Sequence, residues 1–248
     1  MNTAGGTKRQ RKSNTTKKTT KPFRPPRPAD TQIPRLMKPS AVEKKVLFTG
    51  TADAINGFFA LNSTGSIYAV NLVQVGSSMF NRVGRRIQMK SIRLRYQIEP
   101  IIQVRTSSLD VGKIAVVYDK QCNGAYPTLA DVYQDTEQSG TNSATSISGL
   151  NMNNRDRFIT IIENTPTISS CTNTGGIITN PFPQDITPLY QDEYRKLNLT
   201  THYRADSNPA VVGDISNGAL YLITYANLAS GTENFRVNWN CRLKYIDL

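Results

Sequence analysis

The sequence predicts an all-β fold, an antiparallel sandwich or barrel, set behind a long basic arm. Three observations carry this reading. From about residue 46 short apolar runs recur, separated by Gly, Asn, Ser and Pro, with almost no amphipathic helix between them. The last run alternates with a period of two. The charge is also sharply uneven: residues 1–45 hold thirteen of the 30 Lys and Arg but only two of the 18 Asp and Glu, Asp30 and Glu43. That segment alone is +11 of the chain's net +12.

The arm comes first. Residues 7–21, TKRQRKSNTTKKTTK, contain no apolar side chain. Such a stretch cannot bury enough area to offset its conformational entropy and is expected to be disordered without a ligand. Residues 22–39, PFRPPRPADTQIPRLMKP, carry six prolines and favour an extended, polyproline-like chain. At ~3.3 Å per residue, forty residues reach on the order of 130 Å. A dense Lys/Arg run of this kind points to nucleic acid. The residues expected to neutralise phosphates are Lys8, Arg9, Arg11, Lys12, Lys17, Lys18, Lys21, Arg24 and Arg27. The division expected is thus an arm over 1–45 and a folded domain over 46–248.

The strands follow in order. VLFTG (46–50), GFFAL (57–61) and SIYAVNL (66–72) open the domain. Residues 81–98, NRVGRRIQMKSIRLRYQI, form a strand carrying six cations. Ile87 and Met89 share one parity, whereas Ile92, Leu94, Tyr96 and Ile98 take the other, so a β-bulge or bend is expected near Lys90-Ser91. Beyond it Arg93 and Arg95 stand opposite the apolar row. Either a polyanion screens them, or carboxylates such as Glu163 or Asp119 do. Arg82 to Arg86 suit a loop or a subunit interface equally. VGKIAVVYD (111–119) is apolar on both parities and is expected mid-sheet with both faces covered.

PTLADVY (127–133) is the one convincing helix, opened by Pro and Thr, with Leu129, Val132 and Tyr133 on one face. Residues 134–156 and much of 164–192 read as long polar loops, where surface function commonly resides. RFITIIE (157–163), YRKLNLTTHY (194–203) and ALYLITYA (219–226) are further strands. FRVNWNCRLKYI (235–246) puts Phe235, Val237, Trp239, Cys241, Leu243 and Tyr245 on one face and Arg236, Asn238, Asn240, Arg242 and Lys244 on the other. Eight or nine strands result.

No catalytic pattern is present: no P-loop, GxGxxG, GxSxG or HExxH. His202 is the only histidine, and in LTTHYR it reads as a partly exposed strand residue. Cys122, Cys171 and Cys241 are far apart and odd in number, which argues against zinc and against a disulfide framework. Asp110 and Asp119 flank one strand, where acids are more often turn residues than metal ligands. No cofactor or metal is expected, and no enzyme. The sequence has no apolar signal region and no run of ~18 apolar residues, so neither secretion nor membrane insertion is expected. The sequons at Asn62 and Asn198 are read as coincidental.

Three blocks resemble the capsid proteins of circular, Rep-encoding single-stranded DNA viruses, circoviruses and their relatives: NRVGRRIQMKSIRLRYQI, VGKIAVVYDKQCNGAYPTLADVY and NRDRFITIIE. The likeness covers roughly residues 45–248, and the block around VYDKQ, NG and PTLADV is its most specific part. The resemblance implies a single jelly roll of eight antiparallel strands in two facing four-stranded sheets. It implies self-assembly into a small icosahedral shell, commonly T=1 with roughly sixty copies. It implies an inward-facing arm that packages single-stranded DNA, with Arg93 and Arg95 adding contacts on the shell's inner surface. KRQRKSNTTKK resembles a nuclear localisation signal made of Lys8, Arg9, Arg11, Lys12, Lys17 and Lys18. The implied partners are further copies of the chain, the genome, a host nuclear import receptor and a host attachment receptor. The implied locations are the virion and, during assembly, the host nucleus. Two alternatives stand beside this: the capsid of a small RNA or satellite virus, and a non-assembling nucleic-acid-binding transport protein.

Overall fold

A computed structural model describes residues 44–51, 59–100, 109–134, 144–169, 189–227 and 235–248. All nine arm cations, Cys171 and the side chain of Asp110 lie outside the described residues. The strands are β1 (Lys45–Gly50), β2 (Phe59–Leu61), β3 (Ser66–Ala69), β4 (Arg86–Pro100), β5 (Leu109–Asp119), β6 (Phe158–Asn164), β7 (Thr167–Ser169), β8 (Leu189–Tyr203), β9 (Ile215–Asn217), β10 (Ala219–Ala226) and β11 (Phe235–Asp247). One short helix, α1 (Leu129–Val132), lies between β5 and β6.

Two antiparallel sheets result. The first runs β1-β11-β4-β8-β9, with β2 also on β11, and the second runs β3-β10-β5-β6, with β7 also on β5. The sheets therefore have six and five strands where four each were expected. Interruption explains most of the excess. β1 pairs with β11 from Tyr245 to Asn240 and β2 continues along the same edge from Val237 to Phe235. β6 and β7 likewise follow one another along β5. Pro166 separates them and has no N–H for the ladder. β9 is an added three-residue edge on β8.

The phase slip in β4 is a bulge. The register with β8 shifts between Met89 and Ser91, and that with β11 shifts opposite, between Lys244 and Tyr245. The bulge lets Ile87 and Met89 join Ile92, Leu94, Tyr96 and Ile98 in the core, all six fully buried. β11 keeps its period of two: Val237, Trp239, Cys241, Leu243 and Tyr245 are buried, while Arg236, Asn240 and Lys244 are exposed.

β5 and β10 are buried on both parities, as the continuous apolar runs require. One parity faces the first sheet, where the Tyr118 hydroxyl donates to the Thr200 carbonyl at 2.7 Å. The other is roofed by residues of 120–133 and by part of the 134–156 segment that was expected to be a surface loop. There the Tyr221 hydroxyl donates to Ala125 O at 2.9 Å, the Tyr225 hydroxyl donates to Thr145 O at 2.7 Å, and Lys113 Nζ lies 4.3 Å from the Tyr133 ring centre. The described parts of 120–151 are thus a packing layer. Asn71 ties the sheets together: its amide donates to Thr201 Oγ1 and Gly218 O, and its side-chain oxygen accepts from Leu220 N. Gly218 turns the chain between β9 and β10 at φ +79°, where a Cβ would lie 2.2 Å from Thr200 O, so only glycine fits.

α1 is short but well closed. Thr128 Oγ1 accepts from Asp131 N at 3.2 Å, and Asp131 Oδ2 accepts from Thr128 N at 2.7 Å, a reciprocal capping box. Thr128→Ala should cost ~1 kcal/mol, a fall of about 2–4 °C in Tm for a domain of this size, measurable by thermal denaturation. Among the described residues, no helix is long and apolar enough to cross a membrane. Cys122 and Cys241 are free and buried.

Candidate nucleic-acid interface

Among the described residues the second sheet is roofed and the outward face of the first is left exposed. On the outward face of β1, β11, β4 and β8 the register brings basic and aromatic residues into rows. Phe48 lies opposite Arg242, Arg242 opposite Arg93, and Arg93 opposite Tyr194. In the next row Gly50, Asn240, Arg95 and Asp192 stand side by side. Like charges directly opposite on adjacent strands destabilise a sheet, so the Arg242–Arg93 pair is a cost the fold carries in its free state.

Among the described residues, Asp192 is the one carboxylate paired with these arginines. It accepts from Arg93 Nε at 2.7 Å and from the terminal nitrogen of the same guanidinium, and from Arg95 Nε at 3.3 Å. The paired Arg93 guanidinium holds the Asp192 carboxyl below the usual carboxylate range, and Asp192 in turn raises the pKa of Arg93. Both groups are charged at neutral pH. Farther along, Arg236 pairs with Glu99 at 2.8 Å. Toward the start of β1, Lys44, Lys90, Lys196 and Lys244 line a shallow depression with Tyr194 and Leu197. Among the described residues none of these four lysines pairs with a carboxylate.

The carboxylates expected to screen Arg93 and Arg95 do otherwise. Glu163 accepts from Lys113 Nζ at 2.7 Å, and Asp119 takes both forks of Arg157 at 2.9 and 2.8 Å. Both belong to the second sheet, so neither can reach β4's open face. Asp119 is wholly buried in that pair, which leaves it unsuited to the metal role weighed for it with Asp110. His202 is an exposed residue of β8. Arg82 is not part of a charged face at all. It is 1 % exposed, lies 4.0 Å over the Tyr203 ring, and donates to Val73, Gly84 and Ala205 carbonyls and to Asp206. Arg85 and Arg86 are exposed.

Sequence reasoning found Arg93 and Arg95 but passed over Arg242, Lys244, Lys196 and Phe48 as members of the same surface. The alternation in 235–246 already placed Arg242 and Lys244 on the wet face. What was missing was the pairing of β11 with β4, a contact between residues about 150 apart in the chain.

The class defined by these observations is an all-β protein of two antiparallel sheets, one of them presenting a basic, aromatic-bearing face. The model of the geminivirus coat protein/nuclear export factor BR1 family matches residues 2–248, and the chain belongs to that family. This is a coat-protein family of circular single-stranded DNA viruses. Among solved structures the chain is similar to one described as Desmodium yellow mottle tymovirus, at 14 % identity and a TM-score of 0.30, over 92 % of this chain and 95 % of that one. It is also similar to a chain of the T13 IBDV viral particle, at 10 % identity and a TM-score of 0.26, over 83 % of this chain and 31 % of that one. No curated protein matches the chain.

Proposed function

We propose that the chain is a viral capsid subunit, structural rather than catalytic, that assembles with further copies of itself into a small T=1 icosahedral shell. It packages single-stranded DNA through its basic arm. The observation that carries the reading is the coat-protein family match across residues 2–248. The strand order supports a jelly roll, the arrangement common to capsid domains. With β1 and β2 counted as one interrupted strand, β6 and β7 as another, and β9 as an edge addition, eight strands remain, in the two sheets β1-β11-β4-β8 and β3-β10-β5-β6.

In this reading the open basic sheet faces the genome. The arm cations Lys8 to Arg27 bind phosphates without regard to sequence and release counterions, and Arg93 and Arg95 add contacts from the fold itself. Lys8, Arg9, Arg11, Lys12, Lys17 and Lys18 engage a nuclear import receptor, so the chain passes through the host nucleus before reaching the virion. A circovirus-like relationship remains part of the proposal at the level of sequence blocks.

The family's description also names a nuclear export factor, which favours one second reading: a non-assembling protein that carries viral nucleic acid. Size-exclusion chromatography with electron microscopy at physiological salt separates the two. Shells of uniform size are expected. A monomer that persists with and without nucleic acid would rule out the capsid reading and leave the transport one. Sequencing the nucleic acid extracted from native particles decides DNA against the RNA of a small RNA or satellite virus.

A further inference from the structure

The geometry points to a discrete phosphate-binding pocket on the open sheet, formed by Arg93, Arg95, Asn240 and Arg242 with Phe48 at its side, that holds one phosphodiester of a single-stranded nucleic acid while Phe48 stacks on the adjoining base. This rests on the nucleic-acid reading above and goes further, in naming a built site within the folded domain that is separate from the arm.

Phe48, Arg93, Arg95, Asn240 and Arg242 line a single hollow of ≈ 40 Å³. One water needs roughly 10–15 Å³ by the same measure, so the hollow takes one tetrahedral oxyanion and not a whole nucleotide. Three guanidiniums meet there with, among the described residues, a single carboxylate, Asp192, which occupies Arg93 and touches Arg95. Arg242 has no carboxylate among the described residues, and its Nε is buried without a hydrogen-bond partner. A buried, unpaired guanidinium N–H is costly unless an acceptor arrives. The local charge is three positive against one negative, which a phosphodiester reduces without reversing. Arginine's planar fork suits two phosphate oxygens at once.

The aromatic wall fits the same ligand. Phe48 is 54 % exposed and tilted against Phe80, with ring centres 6.4 Å apart. One ring face therefore stays available beside the hollow, where a base attached through its sugar to the bound phosphate would lie. Stacking on an exposed ring is tolerant of base identity, in keeping with packaging that ignores sequence.

The test uses the full chain, with fluorescein-labelled (dT)10 followed by fluorescence anisotropy at 0.1 M and 0.5 M salt. Between those salts the arm's electrostatic binding falls on the order of 10⁴-fold for nine contacts, which isolates the pocket. At 0.5 M, Arg242→Gln is expected to weaken binding by about 10-fold or more. Asp192→Asn is expected to strengthen it by about 3-fold, because it removes the competing anion. Phe48→Leu should weaken (dT)10 by about 5–10-fold yet leave an abasic deoxyribose-phosphate oligomer of equal length unchanged. Arg155→Gln, on an exposed turn before β6, should bind as the parent does. Phe48→Leu keeps the proposal testable if Arg242→Gln fails to fold.

Binding at 0.1 M that vanishes at 0.5 M overturns the pocket and leaves arm-driven packaging standing. So does an Arg242→Gln protein that binds as the parent does. Displacement of (dT)10 by polyglutamate of equal length as readily as by unlabelled (dT)10 would mark the site as one for acidic protein segments and overturn it as a nucleotide site. No binding at either salt overturns the pocket together with the nucleic-acid reading beneath it.

Discussion

Deletion of residues 1–40 should leave shells forming while most packaged nucleic acid is lost. The strands that bury apolar area all begin at or beyond Lys45, so the deletion removes no core residue. It removes eleven of the chain's 30 Lys and Arg, including all nine cations assigned to phosphate. With about nine contacts at ~0.7 each on a single strand, the logarithm of the binding constant should fall against the logarithm of salt with a slope near −6 for the intact chain. The truncated chain should show a much shallower slope, set by the open sheet. The ratio of absorbance at 260 and 280 nm of purified particles measures packaging, and a salt titration with single-stranded DNA measures the slope. Unchanged nucleic-acid content in truncated shells would show that the arm is not the main binding element. Failure to assemble would show that it also serves the subunit contacts.

Arg82→Met should be the most destabilising single change on the first sheet's side of the fold. The guanidinium is stripped of water and satisfies three backbone carbonyls, those of Val73 at 3.0 Å, Gly84 at 2.7 Å and Ala205 at 3.0 Å, as well as Asp206 at 2.6 Å. It also covers the Tyr203 ring, whose own hydroxyl is held by Asn71 O at 2.7 Å. Methionine keeps much of the stem's packing but leaves these acceptors without donors. Breaking a buried pair by removing one partner costs about 3–5 kcal/mol. The Asp206 side chain is 43 % exposed, so water restores that partner and the cost rests on the carbonyls, which favours the lower end. At ~2–4 °C per kcal/mol, thermal denaturation should show a Tm lower by roughly 6–12 °C. A fall of under 2 °C would mean that water reaches all three carbonyls and that Arg82 is not the clamp of the 73–84 and 205–206 segments.

The contrast between Arg82 and Arg93 shows what was readable in the chain. Both lie in one basic segment, and their charge gave no way to tell them apart. Arg82 is drawn inward by carbonyls from residues 73 and 205, whereas Arg93 lies on a strand whose pleat turns it outward. Only parity was available from the sequence, and parity was reliable wherever the strand was regular. It placed the bulge at Lys90-Ser91, the buried row of β11 and the fully covered β5. It failed at β8, which begins at Leu189 in a run, LYQDEY, that read as a polar loop. Among the described residues β8 is the edge of its sheet beyond β9's short reach, so the first half of the strand stays wet and carries no apolar pattern.

The sequence by itself determined the all-β class, the number of main strands and which residues of each face the core, because those follow from the two-residue period and from the area each apolar run must bury. It also determined that a separate basic segment precedes them. The tertiary structure alone decided which sheet stays exposed among the described residues, since that depended on residues 120–134 and 144–151 lying over β5 and β10. It alone decided that Arg93 and Arg95 share Asp192 and meet Arg242 and Phe48. Those contacts are set by the register of strands far apart in the chain, and a charged side chain bears no local mark of the strand that will lie beside it.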